Sequence, residues 1–362
     1  MLFRSGDRPA PTPGDRDIWY LVLDRFGSVR SVEAYAGATP ALPAWMDAHG
    51  FEVAHDARAS YVKTALSLGS TLNLMQLDEL AARMGPDSGD EEPFTELVRD
   101  HAVGRFLRDR GYRLIQLPSW FVPTARSAIA DEVLTPSIGS DFDRLLHDTT
   151  ILALWDDLFV PPIGHDDAQH RDFARFQLRM LERLRTAPHA EPRFVFAHIL
   201  LPHPPYVFDE TGAYPGDAER LDPDPIRYAR QMRWTEAQVE ALVGRILDVP
   251  EAERPIVIVA ADEGPYPVRY QADMSGFDWT QATDEELAIK FGTLLGIYLP
   301  MDGEPHVTDR MTTANIFRLV FDRAFGAGLP LLPDRSWVSR DAPHPYDLID
   351  ITDALDRIDA GG

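Results

Sequence analysis

Six consecutive apolar residues, Ile18 to Leu23, end abruptly at Asp24 and Arg25, and Gly27 then turns the chain. A run of aromatic and β-branched residues without alternation is the pattern of a strand buried on both faces. The pattern recurs: Tyr112 to Leu117 stops at Pro118 and Ser119, and Arg193 to Leu200 stops at LPHPPY. Pro255 to Ala261 stops at Asp262 and Glu263, while Phe51 to Ala54 and Phe291 to Leu299 supply two more strand-like runs.

Helical spacing fills the intervals. Pro40 to His49 carries Leu42, Trp45 and Met46 on one side, and a mostly buried helix begins near Lys63 and takes in Leu66, Leu68, Leu72, Leu74, Met75 and Leu77. Phe94 to Arg110 reads as one amphipathic helix, with others at 141–155, 167–185, Pro225 to Leu247 and Thr312 to Phe325. GPDSGDEEP, residues 85–93, is an acidic loop, and 121–140 has no clear period and reads as an excursion on the site side of the sheet. Strands alternating with long helices, without a short repeat, predict an α/β fold: a three-layer α/β/α sandwich around a mainly parallel sheet, in one domain. That domain is expected over 17–337, with 1–16 a Pro- and Gly-containing linker or leader and 338–362 a polar tail wrapping the surface.

Composition narrows the chemistry. With 35 Lys and Arg against 58 Asp and Glu, the net charge is −23. Such a field repels phosphate backbones and anionic lipid surfaces, so nucleic-acid binding is not expected. The absence of cysteine removes disulfides, thiolate metal ligands and a cysteine nucleophile. No apolar run approaches the ~20 residues needed to span a bilayer, and the first residues lack the apolar core of a secretory signal. Membrane attachment is therefore expected only through segments absent from this chain.

In an open α/β sheet the ligand crevice lies beyond the carboxyl ends of the strands. Three predicted strand ends bring polar groups there: Asp24, the His198/His203 segment, and Asp262 with Glu263. Singly, each has an ordinary reading as a turn, cap or packed loop residue. Their joint placement at one sheet edge sets a metal site beside that ordinary reading. Thr64 stands near the start of the helix after Tyr61, where backbone N–H groups favour an anion. Its ordinary reading is a first-turn cap; a hydroxyl there is also suited to attack a phosphorus or sulfur centre.

The order of these residues resembles the alkaline phosphatase superfamily, and more closely its sulfatase-like branch with lipoteichoic-acid synthases and phosphoethanolamine transferases. The matching segments are WYLVLDRFGS, SYVKTALSLGSTLN, FVFAHILLPHPPYVFD, IVIVAADEGP and TTANIFRLVFDRAFGAGLPLLPDRSW, spread over most of the chain. The resemblance implies that Asp24, Thr64, Asp262 and Glu263 ligate the metal and that Thr64 is also the nucleophile. It places His198 and His203 beside the site, on substrate oxygens or at a second metal, with Lys63 and Arg25 as anion contacts. The implied substrate is a phosphorylated or sulfated small molecule, lipid head group or glycan, handled outside the cytoplasm by a membrane-associated enzyme. Two positions depart from the family, which usually has Asp-His-Gly where this chain has Asp262-Glu263-Gly264, and Asp-Gly where it has Asp24-Arg25. The extra carboxylate makes the site harder, which favours Mn²⁺ or Mg²⁺, with Ca²⁺ or Zn²⁺ as alternatives. A catalytically degenerate domain that binds a ligand or partner, and a purely structural module, are the competing expectations.

Overall fold

A computed structural model describes residues 15–135 and 166–361. Seven strands form one sheet in the order β2-β7-β6-β1-β5-β3-β4. They are β1 (Ile18–Leu23), β2 (Glu52–Val53), β3 (Arg113–Leu117), β4 (Glu132–Val133), β5 (Arg193–Ile199), β6 (Ile256–Ala260) and β7 (Leu295–Tyr298). The central strand β1 runs parallel to β5 and β6, in register Leu23↔Ile199 and Val22↔Ala260. β3 is parallel to β5 and β4, whereas β7 is antiparallel to both β6 and β2. The mainly parallel sheet expected from the apolar runs is the one observed.

All six residues of β1 are buried. Their alternation splits the core into two layers. Trp19, Leu21 and Leu23 face the helices Val29–Ala36, Leu42–Ala48, Asp167–Thr186 and Asp224–Leu247. Ile18, Tyr20 and Val22 face the helices Thr64–Asn73, Ala102–Arg108 and Ile316–Phe325. Helices on both faces make the three-layer sandwich.

Several boundaries differ from the sequence reading. The helix from Lys63 ends at Asn73, because Leu74 turns left-handed (φ 55°) and the side chains of Asn73 and Ser70 take the carbonyls of Gly69 and Met75. The long helix at Phe94 to Arg110 is two, Glu92–Arg99 and Ala102–Arg108, since His101 accepts from Gly104 N at 2.9 Å and starts a new helix. The helix expected at 141–155 lies outside the described residues. The segment expected as a polar tail carries secondary structure of its own. β8 (Trp337–Ser339) pairs antiparallel with β9 (Leu348–Asp350), and the helix Thr352–Gly361 follows. Val338 and Leu355 are buried with Tyr266, Tyr270 and Trp279. Three buried apolar residues, Val338, Tyr346 and Leu355, in a largely polar segment are too sparse to form a visible period. Among the described residues, no helix is long and apolar enough to cross a membrane.

Candidate metal and anion centre

The strand period that divides the core also aims the site. Along the even-numbered positions, Val22 leads to Asp24 just past β1, Phe196 to His198 inside β5, and Ala260 to Asp262 past β6. All three fall on the face that carries the helix Thr64–Asn73. Glu263 is one residue out of phase. The geometry follows this parity. One ligand atom from each of Asp24, His198 and Asp262 lies within 4.8 Å of the others, and all three residues are buried.

Asp24 is fixed by its backbone N–H, which donates to Ile199 O at 2.9 Å. His198 presents Nε2 at 3.3 Å from Asp24 Oδ2. Its Nδ1 sits between the hydroxyls of Ser119 and Thr124, at 3.2 and 3.0 Å, which hold the ring's orientation. Ser67 Oγ donates to the Asp262 carbonyl at 2.7 Å, tying the strand end to the helix Thr64–Asn73. Thr64 opens that helix, and Lys63 precedes it with no side-chain cap on the first N–H groups. The Thr64 hydroxyl favours the ionised form of Asp262. Asp24 Oδ1 and Asp262 Oδ2 are nonetheless buried with no hydrogen-bond partner among the described residues. Two buried carboxylate oxygens without donors are costly unless a cation meets them.

The charges agree. Burial would raise the Asp24 carboxyl, but His203, His198 and Arg25 outweigh it and hold Asp24 well below the usual carboxylate range. Burial, and then the Asp24 charge, push Asp262 up to about 6. The two carboxylates thus resist carrying full charge together, a repulsion that a divalent ion between them relieves. Burial, followed by the Arg25 charge, pushes His203 down to about 3, so its ring is neutral near pH 7.

The other expected residues sit around this group. Arg25 has a left-handed backbone (φ 63°) and donates its N–H to Asp262 Oδ1 at 3.2 Å. Its Nε lies 3.1 Å from Glu263 Oε1 and 3.7 Å from Asp24 Oδ1. Glu263 Oε1 also meets Lys290 Nζ at 2.8 Å, so Glu263 faces two cations and is not part of the Asp24–His198–Asp262 group. Lys63 Nζ is directed to Glu91 Oε1, at 3.5 Å. Sequence reasoning missed Ser119, Thr124, Lys290 and Tyr266. Parity along β5 and β6 separates His198 from Glu263, but nothing in ELAIKFGTLLG marks Lys290 as part of a site.

No family model matches the chain, and no curated protein matches it. Solved structures do. The C-terminal periplasmic domain of EcEptC from Escherichia coli superposes with a TM-score of 0.55 at 14% identity, over 94% of this chain and 94% of that one. A complex of the same domain with Zn superposes at 0.56, also at 14% identity, over 93% and 92%. The soluble domain of lipooligosaccharide phosphoethanolamine transferase A from Neisseria meningitidis gives 0.53 at 10% identity, over 87% and 89%. A putative sulfatase from Bacteroides thetaiotaomicron gives 0.51 at 13% identity, over 88% and 72%. The chain has the three-layer α/β/α fold of the EcEptC periplasmic domain and of the putative sulfatase.

Proposed function

We propose that this chain is a metal-dependent transferase or hydrolase of phosphate or sulfate esters, with Thr64 as nucleophile. The observation that carries the reading is the pair of donorless carboxylate oxygens, Asp24 Oδ1 and Asp262 Oδ2, buried beside His198 Nε2. Asp24, His198 and Asp262 are the residues that would hold one divalent ion, and their mixed oxygen and imidazole donors suit Mn²⁺, Mg²⁺ or Zn²⁺. When bound, such an ion lowers the pKa of a nearby hydroxyl and neutralises charge on a reacting phosphoryl group. The zinc complex of the structurally similar periplasmic domain supports a divalent ion in this fold.

The chain's own residues supply the rest. Thr64 Oγ1 forms the bond to phosphorus or sulfur as the bond to the leaving alcohol breaks, giving a covalent phospho- or sulfothreonine. Attack by water or an acceptor hydroxyl on that centre restores Thr64. The first-turn N–H groups of the helix Thr64–Asn73 face the anion. Neutral His203 binds the transferred group by hydrogen bonding and carries no charge of its own. One similar solved domain belongs to a lipooligosaccharide phosphoethanolamine transferase and another is a periplasmic domain, so a lipid head group or glycan outside the cytoplasm is the proposed setting.

Thr64→Ala tests this directly. With Mn²⁺, turnover of p-nitrophenyl phosphate or sulfate by the parent protein should fall by about a thousandfold or more, with the melting temperature nearly unchanged. Turnover that survives Thr64→Ala removes the nucleophile. A second reading has its own support: Arg25 and Lys290 already neutralise Glu263, as in a domain that binds a ligand without turning it over. Metal binding without any turnover by the parent protein would favour it.

A further inference from the structure

We propose that Arg25, Glu263 and Lys290 form a fixed cationic arm of the site, in which Arg25 Nη1 grips an oxygen of the bound tetrahedral oxyanion and Lys290 positions Arg25 through Glu263. The inference rests on the metal reading above and removes Glu263 from the ligand set. Arg25 is 4% exposed, yet its Nη1 is buried with no hydrogen-bond partner among the described residues. Arginine cannot shed its charge, so a buried guanidinium N–H without an acceptor is a place for an anion.

The arm is built to hold that nitrogen still. Nε is bonded to Glu263 Oε1 at 3.1 Å, and the guanidinium lies on the Tyr266 ring, with Cζ 2.8 Å from its centroid. Lys290 anchors the same Glu263 oxygen at 2.8 Å while its ammonium lies 4.3 Å from the Tyr266 centroid and 5.2 Å from that of Tyr270. Gly264 makes the approach possible. Its N–H donates to Lys290 O at 2.8 Å, and a Cβ there would collide with the carbonyls of Ile289, Lys290 and Gly292. Charge then decides the role. With Asp24 and Asp262 given to a divalent ion, what remains is Glu263 against Arg25 and Lys290, a net of one positive charge. An arm of that sign attracts phosphate or sulfate; a third carboxylate ligand would repel it.

Calorimetric titration separates the two claims, with Mn²⁺ alone and inorganic phosphate as probes, on the Mn²⁺-loaded and the EDTA-treated protein. Glu263→Gln and Arg25→Gln should bind Mn²⁺ within about threefold of the parent, because neither removes a ligand. Arg25→Gln should weaken phosphate binding about tenfold or more, the worth of a charge-assisted hydrogen bond. Lys290→Met should weaken it several-fold, and Lys290→Arg should recover most of that loss, which a merely structural role would not do. A tenfold loss of Mn²⁺ affinity in Glu263→Gln would make Glu263 a ligand and sink the proposal. So would unchanged phosphate binding in Arg25→Gln, or a parent protein that binds phosphate in neither state. If Lys290→Met does not fold, Arg25→Lys, which keeps the charge without the fork, must fall between the parent and Arg25→Gln. Failure of the parent to bind Mn²⁺ overturns the metal reading alone, and the Arg25 comparison is then read on the EDTA-treated protein.

Discussion

Two aspartates flank the same central strand, and the chain treats them in opposite ways. Asp17, just before β1, takes Arg193 N at 2.8 Å on one oxygen, and Arg193 Nε and Nη2 at 3.0 and 2.7 Å on the other. Arg193 in turn gives Nη1 to Leu184 O at 2.8 Å. Asp24, just after β1, meets His198 at the matching end of β5, and one of its oxygens has no donor. Both pairs span the same two parallel strands. At the amino end the ionic valences are closed against one another and lock the sheet; at the carboxyl end they are left open. A closed pair contributes stability, and an open one withholds it until a ligand arrives.

Breaking the closed end should have the largest thermodynamic effect. Asp17→Ala leaves a buried Arg193 without its bidentate partner, and urea unfolding should report a loss of about 3 kcal/mol or more. A loss well below 1 kcal/mol would mean that the amino end is no more committed to stability than the carboxyl end. Asp262→Asn should do the reverse. The metal-free protein should be at least as stable as the parent near neutral pH, since the carboxylate that burial and the Asp24 charge push up to about 6 is gone, while Mn²⁺ should no longer raise the melting temperature. A destabilised Asp262→Asn protein with an intact Mn²⁺ response would abolish the contrast.

The smallest effect concerns pH. The folded-state value of Asp262, about 6, lies above its ordinary value of 3.8. Its contribution is therefore complete below about pH 4 and is lost as pH rises through 6. Metal-free parent protein should become less stable between those limits relative to Asp262→Asn, whose response should be flatter. Parallel pH profiles for the two proteins would remove the repulsion between Asp24 and Asp262. Asp24 works in the other direction, but its depressed value moves that effect to the acid side of this window.

The sheet was legible because its central strands are continuous apolar runs, and burial on both faces demands that pattern. The carboxyl ends of β1, β5 and β6 followed, and with them Asp24, His198 and Asp262 as neighbours. What resisted reading was phase and distance. Glu263 is adjacent to Asp262 in sequence, but a one-residue step reverses its face and delivers it to Lys290. The break at His101 was hidden because the helices on either side share one apolar stripe. Lys290 was hidden because a single lysine in an apolar segment reads as an accident until Tyr266, Tyr270 and Glu263 are seen around it.

The contact between Arg25 and Glu263 joins residues 238 positions apart. Ser67 and the Asp262 carbonyl are separated by 195. Closures of that span become favourable only after the intervening strands have found their neighbours. The centre is consequently a late product of folding: a chain can regain its helices and much of its sheet while the two ends of the site remain strangers. During that interval Asp24, Asp262 and Glu263 are ordinary solvated carboxylates. Recovery of the site on refolding should therefore lag recovery of secondary structure, and the ability to bind an ion and an oxyanion together reports that the whole sheet has closed.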